Sequence, residues 1–181
     1  MVTLNGLPDY NYSHEDYKYQ LSLTEKLDRF SEELFTQELI NEIVLWKINR
    51  YVAVDDEALR LLNSDEIKSA TINKEFTRHL ILKLLGLNGI RLAMASTILR
   101  FRNPKVYQII EQRVFRFIYG QELKLSTSAS IDNMNAQIEL YFQYLDKLRT
   151  ISDKTGWDYS QLDRILYALD IKHNKEYSIN Y

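Results

Sequence analysis

Apolar residues recur at helical spacing along most of the chain, and polar or turn-forming residues divide this pattern into segments. From Ser31 to Val52 the apolar positions lie three or four residues apart, and further apolar positions widen the surface beyond a narrow stripe. This pattern predicts a central helix. Its apolar positions are Phe35, Leu39, Ile40, Ile43, Val44, Trp46 and Ile48.

Capping and turn residues indicate where the other helices begin and end. Asn73 is expected to cap a helix that ends near Gly86. Pro104 ends the next helix, because proline disfavours helical geometry in the residue before it. A further helix is predicted to start at Ile109 and to end at Gly120. The remaining predicted starts are the acids at 55–57, Asp132 and Ser160.

The composition indicates one all-α domain. The chain has 181 residues, 45% of them hydrophobic, which is enough for one substantial core. Five glycines and two prolines are few, and this favours long regular elements over a turn-rich all-β fold. We therefore predict a single domain over residues 1–181. Residues 1–23 are polar, rich in tyrosine and without a sustained period, and they are expected to form an N-terminal arm packed on the domain.

Several kinds of site are excluded by the residues that the chain contains. There is no cysteine, so disulfides, thiolate zinc sites and cysteine-ligated iron–sulfur clusters are excluded. The three histidines, His14, His79 and His173, lie far apart and have no acidic partner at ligand spacing, so no transition-metal site is predicted. The glycine patterns of nucleotide-binding loops and the serine nucleophile elbow are also absent.

The charge is unevenly distributed along the chain. The formal net charge is −2, but the basic residues concentrate in residues 91–116, where Glu111 is the one acid. The first 45 residues are acidic by contrast. The N-terminus has no basic and apolar leader, and no apolar run approaches a membrane-spanning length. We therefore expect a cytoplasmic protein that does not enter a membrane.

A short turn between two apolar runs carries the most informative pattern. Gly89 lies between these runs, where the chain must turn tightly and where a residue without a Cβ can bring its backbone close to a ligand. The free amides that open the second helix would bind a phosphate, because several N–H groups converge there at the positive end of the helix dipole. The alternative is an ordinary corner between two helices, with glycine at the helix end.

The residues around this turn resemble the signature of the helix-hairpin-helix DNA glycosylase superfamily. That signature is a Leu-Pro-Gly-Val-Gly hairpin, a helix with an internal alanine, and then an essential aspartate. The matching residues are Leu87, Gly89, Ile90 and Ala95, and Glu111 falls at the position of the aspartate. Asn88 replaces the usual proline and Arg91 the usual second glycine. The resemblance implies an all-α, single-domain helical bundle with a helix-hairpin-helix motif, acting as a monomer on duplex DNA with a flipped base. It implies no cofactor beyond a monovalent cation at the hairpin.

The resemblance also implies a role for Glu111. Cleavage of an N-glycosidic bond develops positive charge on the sugar, and a carboxylate stabilises this charge or activates water. The alternative is a solvated glutamate paired with Arg113 or Lys105. Superfamily members that cut the strand use a lysine where this chain has Ala93, so no Schiff base forms at that position. The implied activity is monofunctional: water attack releases the base, and lyase activity is not expected.

Two further groups of residues are implicated. The hairpin and the basic stretch after it are expected to contact DNA through Asn88, Gly89, Arg91, Arg100, Arg102, Lys105 and Arg113. A Trp-Lys-x-x-Arg run is a candidate wall of the pocket for the flipped base. It consists of Trp46, Lys47 and Arg50. The alternative is a tryptophan in the core beside two solvated basic residues.

Two other functions are compatible with the same sequence. The first is a DNA-binding module that keeps the phosphate contact but has no excision activity. This alternative is open because Glu111 replaces the essential aspartate and Ala93 replaces the lysine of strand-cutting members. The second is a protein-interaction domain in which the acidic, tyrosine-rich N-terminus contacts a partner. A measurement of base excision distinguishes a glycosylase from the DNA-binding module. A measurement of DNA binding distinguishes the protein-interaction domain from the other two.

Overall fold

Eight α-helices and no β-strand make up the part of the chain that the computed structural model describes. This part consists of residues 1, 3–7, 13–17, 21–30, 34–48, 54–126 and 128–179. The all-α prediction is confirmed for these residues. The helices are α1 (Leu21–Arg29), α2 (Gln37–Ile48), α3 (Asp56–Leu62), α4 (Lys74–Leu85), α5 (Leu92–Arg102), α6 (Gln112–Tyr119), α7 (Ile131–Thr155) and α8 (Leu162–His173).

The central helix of the core is α5. Every residue from Met94 to Arg102 is buried, and both α2 and α4 pack on this helix. The segment 31–52, predicted to be central, contains α2 instead. Helix α2 buries Ile43 completely but leaves Leu45 exposed. Buried apolar residues from all eight helices form one contiguous cluster. Helices α6 and α8 also pack extensively on each other.

Several helix ends lie where the capping residues predict them. The Asn73 side chain accepts a hydrogen bond from the Phe76 amide at 3.1 Å, and Gly86 follows the last residue of α4. Gly120 ends α6 in the left-handed conformation, with φ of 70°, which glycine adopts without a steric cost. The predicted starts at 55–57 and at Ser160 lie within two residues of the observed starts of α3 and α8.

One predicted cap, Asp132, and one predicted helix start, Ile109, are wrong. Helix α7 is capped by Ser130, whose hydroxyl accepts from the Asn133 amide, and Asp132 lies inside the first turn. Helix α6 begins at Gln112 rather than at Ile109.

Tyrosine hydroxyls explain why the residues before α6 are not helical. Three hydroxyls donate to carbonyls of this segment, so these carbonyls are satisfied by side chains instead of by helical amides. Tyr159 donates to the carbonyl of residue 106 at 3.2 Å, Tyr141 to that of 108 at 2.9 Å, and Tyr144 to that of 109 at 2.7 Å. The segment therefore reaches α6 in an extended form, and the last residue before the helix becomes its cap.

A buried ion pair fixes α6 against α8. The Arg116 guanidinium donates to both carboxylate oxygens of Asp170, through Nε at 2.8 Å and through Nη2 at 2.7 Å. The Asn174 amide donates to the same carboxylate at 2.9 Å, and Arg113 lies 3.3 Å from it. Asp170 is completely buried. A charge buried to this degree requires the partners that surround it.

The described pieces of the N-terminal arm pack on the domain. Short 3₁₀ turns at Leu4–Gly6 and His14–Asp16 contact α6 and α8 respectively, and Leu4 and Tyr17 are buried. Helix α1 begins inside the range predicted as an arm. Within the described ranges, no helix combines the length and the apolar character needed to cross a bilayer.

Candidate active site

A cavity of about 590 Å³ lies between α2, α5, α6 and α8. Its charged lining residues are Lys47, Glu111, Asp163 and Arg164. Most of the remaining lining is apolar or aromatic. An apolar cavity with a few converging polar groups is the usual form of a small-molecule site, and such sites measure about 300–1,000 Å³.

Glu111 enters the cavity from the N-terminal end of α6. It is the cap of this helix, and its Oε1 accepts a hydrogen bond from the Val114 amide at 2.8 Å. Its backbone is extended, as an N-cap requires. Among the described residues, no salt bridge joins Glu111 to Arg113 or Lys105, and the carboxylate that Arg113 contacts belongs to Asp170. The side chain therefore faces a cavity and not an ion pair on the surface.

Burial raises the pKa of the Glu111 carboxyl group. Lys47, the amides of Val114 and Arg113 and the Arg113 guanidinium favour the ionised form and reduce this shift. The Glu111 carboxyl group therefore keeps its proton to a higher pH than a solvated glutamate does.

Lys47 reaches the same cavity from the last turn of α2. Its side chain is half-buried, and burial lowers the pKa of its ammonium group, while Glu111 and Asp163 oppose the shift. No described residue forms a hydrogen bond or a salt bridge with its Nζ. Arg50, the third residue of the predicted pocket run, lies outside the described residues.

Trp46 is both a core residue and a wall of the cavity. It is 3% exposed, and its indole N–H donates to the Thr24 hydroxyl at 2.8 Å. Its ring meets that of Phe101 edge to face, with centroids 5.2 Å apart. The two interpretations of Trp46 as core and as pocket wall are thus compatible.

The sequence indicated a minor role, or none, for several residues that line the cavity. The rings of Tyr17 and Tyr167 meet edge to face at 5.6 Å. Asp163, interpreted from sequence as a helix cap, is buried and accepts from the Arg164 amide at 2.8 Å. Gln112 holds the loop that forms another wall, because its side chain donates to the Leu123 carbonyl and accepts from the Leu123 amide. These residues come from distant parts of the chain, and no local motif marks them.

The turn between α4 and α5 lies just before the part of α5 that lines the cavity. Gly89 has φ of 85°, and Asn88, Gly89 and Arg91 are exposed. Arg91 precedes α5 without a side-chain cap, so its side chain satisfies none of the first amides of this helix. Ala93, two residues further on, lines the cavity. One short stretch of α5 therefore leads from the exposed turn to the cavity that Glu111 lines.

Two residues predicted to contact DNA are instead buried. Arg100 is 1% exposed and donates to Asp28 at 2.7 Å and to the Ser160 carbonyl at 2.9 Å. Arg102 is 2% exposed and donates to the Leu62 carbonyl at 2.7 Å. Both guanidinium groups stabilise the interior, because α5 is buried on all its faces, and neither reaches a DNA backbone.

The other basic residues of this group differ in exposure. Lys105 is exposed, whereas Arg113 is half-buried and contacts Asp170. Surface contacts with DNA remain predicted for the turn and for Lys105, and Arg113 is the less accessible of the group.

The protonation of Glu111 has a testable effect on stability. Folding raises its pKa above the ordinary value of 4.5, so its contribution to stability is complete below pH 4.5 and is lost as the pH rises through the folded-state pKa. We expect wild type to lose stability relative to Glu111→Gln over this pH range. Urea unfolding of both proteins at a series of pH values measures the difference, and a difference that does not vary with pH would contradict the raised pKa.

The described residues contain no group of histidine and acidic side chains that could hold a metal ion. A monovalent cation at the hairpin would bind backbone carbonyls of the turn, one of which, that of Leu87, accepts from the Ile90 amide at 3.3 Å. The cation remains a prediction. Comparisons of the chain with protein-family models, with curated proteins and with solved structures found no match.

Proposed function

We propose that this protein binds duplex DNA and hydrolyses the N-glycosidic bond of a damaged or modified base. The observation that carries the proposal is the position of Glu111. Its carboxyl group lies in an aromatic-walled cavity beside the first turn of α5, and this helix follows an exposed turn with a left-handed glycine. This arrangement supports a nucleotide site in the cavity with a contact to the adjoining backbone at the turn.

The cavity has the size and lining that a flipped nucleotide requires. Enzymes that act on a base take it out of the stack into a pocket of aromatic and polar side chains. Tyr17, Trp46 and Tyr167 supply aromatic surface, and the charged groups of Lys47 and Glu111 supply polar atoms. Aromatic surface of this kind binds the flat faces of bases with little dependence on their identity.

Glu111 supplies the charge that the reaction needs. As the bond between base and sugar breaks, positive charge develops on the sugar ring, and a fixed carboxylate in a partly desolvated cavity stabilises it. The same carboxylate accepts a proton from the attacking water. Because the pKa of Glu111 is raised, base release is expected to increase with pH as this group ionises.

The exposed turn supplies the backbone contact. Amides at the start of α5 point away from the helix, and the positive end of its dipole favours a phosphate. Arg91 is exposed and adds positive charge at the turn, whereas the exposed Lys105 lies beyond the opposite end of α5. Such contacts position the duplex without reading its sequence.

Two measurements test this function together. Purified protein is incubated with duplexes that each contain one damaged or modified base, and free base is measured, while binding is measured at several salt concentrations. Base release with salt-dependent binding supports the proposal. Binding without release of any base identifies a DNA-binding module, and no binding at low salt favours the protein-interaction domain.

The role of the turn is tested by a matched pair of glycine variants. Gly89→Ala and Gly156→Ala both place an alanine in the left-handed region, at φ of 85° and 74°, so each is expected to cost about 1–2 kcal/mol of stability. Only Gly89→Ala is expected to weaken DNA binding, because Gly156 ends α7 away from the turn. Denaturation and binding titrations measure both effects. Equal affinities in the two variants would contradict a phosphate contact at the turn.

A further inference from the structure

We infer that Ser96 is a positioning residue for the Glu111 carboxyl group, and that its hydroxyl group holds the segment before Glu111 against the start of α5. The inference rests on the proposed function, in which Glu111 carries out excision. Ser96 is not among the residues that line the cavity, so it acts through the backbone and not by contact with the substrate.

The Ser96 hydroxyl group uses both its donor and an acceptor position. It donates to the Ala93 carbonyl at 2.9 Å, within α5. It also accepts from the Ile110 amide at 3.2 Å, across the contact between α5 and the segment before α6. A serine hydroxyl has one hydrogen to donate and two lone pairs. Because the hydrogen is directed to Ala93, a lone pair is left for Ile110.

The peptide unit between Ile109 and Ile110 is held at both its ends. Tyr144 from α7 donates to the Ile109 carbonyl at 2.7 Å, and Ser96 from α5 accepts from the Ile110 amide. Because a peptide unit is planar, two opposed hydrogen bonds fix its orientation, and Glu111 is the next residue. The direction in which the Glu111 side chain leaves the backbone therefore depends on both partners.

Water cannot replace the hydroxyl group of Ser96. Both Ser96 and Ile110 are completely buried, and a buried amide without an acceptor is strongly unfavourable. Loss of the hydroxyl group is therefore expected to shift Ile110 toward another acceptor and to move Glu111 with it. A displacement of about 1 Å in a reacting group can lower a rate about 10²-fold.

Ser96 also connects the carboxyl group to the proposed phosphate contact. The carbonyl to which it donates belongs to Ala93, in the first turn of α5, and the amides of this turn are the ones proposed to bind the phosphate. The backbone of the bound strand and the Glu111 carboxyl group are then held by the same helix. A fixed distance between the two sites orients the sugar for the reaction.

Ser96→Ala removes the hydroxyl group, and Thr97→Val is the matched control. Thr97 is also completely buried and donates to the same Ala93 carbonyl, at 2.7 Å. Its hydroxyl group has no hydrogen bond to residues 106–111, all of which the structure describes. We expect Ser96→Ala to lower the single-turnover rate of base release about 10- to 100-fold, with the Kd for duplex DNA within about twofold of wild type. Thr97→Val is expected to keep both values within about twofold.

A second measurement does not depend on activity. Burial is the main cause of the raised pKa of Glu111, so a carboxyl group that has moved toward water should titrate closer to its ordinary value. Urea unfolding over a series of pH values, with Glu111→Gln in each background as the reference, gives this pKa in the folded state. We expect it to fall in Ser96→Ala and to stay at the wild-type value in Thr97→Val.

The pKa of Glu111 decides the inference, and the rate of base release decides the proposed function. A pKa that is equal in wild type and Ser96→Ala, or that falls equally in Thr97→Val, overturns the role of Ser96 without bearing on excision. A fall confined to Ser96→Ala supports this role, and if wild type then releases no base, only the excision step is removed. Ser96→Cys covers the case in which Ser96→Ala does not fold. A thiol is a weak acceptor, so the pKa should fall in this variant also, and an unchanged pKa overturns the inference.

Discussion

Glu111→Gln is expected to abolish measurable base release, with a loss of about 10²- to 10⁴-fold in the single-turnover rate. The substitution removes the charge that stabilises the sugar cation and the base that activates water. It keeps the shape of the side chain, and the Gln oxygen can still accept from the Val114 amide, as Oε1 does in wild type. The helix cap therefore survives, and duplex binding should stay within about twofold of wild type.

Glu122→Gln is the control for this substitution. Glu122 follows α6 by a few residues, is exposed, and is not among the cavity residues. Its removal changes the net charge by the same amount, so any effect of charge on DNA binding is common to both variants. If Glu111→Gln releases base at the wild-type rate, the carboxyl group has no catalytic role and the excision mechanism proposed for it is wrong.

Asp170→Ala has the largest expected effect on stability, a loss of about 3–5 kcal/mol in the free energy of unfolding. The substitution leaves the buried Arg116 guanidinium without the carboxylate that accepts from both its Nε and its Nη2. It also removes the acceptor of the Asn174 amide. The uncompensated charge of the buried Arg116 accounts for most of the loss of stability. The contact also matters for the site, because α6 is capped by Glu111 and α8 contains Asp163.

Urea denaturation measures the effect, and Asp153→Ala is the matched control on the exposed surface of α7. The control is expected to change stability by less than about 0.5 kcal/mol. A loss below about 1 kcal/mol in Asp170→Ala would show that the pair is not a main support of the contact between α6 and α8. Circular dichroism of the variant below its transition would separate local loosening from loss of the fold.

Local signals predicted much of the helical framework. Asn73 and Gly120 each act through atoms within a few residues, so the sequence is enough to place them. The extended residues before α6 were not predictable in this way. Their form depends on tyrosine hydroxyls from α7 and from the turn before α8, and these partners are about thirty to fifty residues away.

The candidate site was only partly predictable for the same reason. Lys47 and Glu111 were each identified as candidates, but their presence in one cavity depends on how α2 packs on α5 and how α6 packs on α8. The burial of Arg100 and Arg102 was not foreseen, because a cluster of basic residues in a sequence does not show which of them face solvent. A basic helix in the interior satisfies its charges with Asp28 and with backbone carbonyls.

The three tyrosine hydroxyls before α6 have a consequence for how such a protein can change its substrate. They attach the backbone before Glu111 to α7 and to the turn before α8, whereas the loop at 123–125 forms a cavity wall that is held through the Gln112 side chain. The backbone before Glu111 is therefore held by three hydroxyl contacts, whereas the loop is held by the side chain of Gln112, the residue after Glu111. If the proposed function holds, we expect substitutions in the loop to change the base preference while the hydroxyl contacts keep the approach to Glu111 in place.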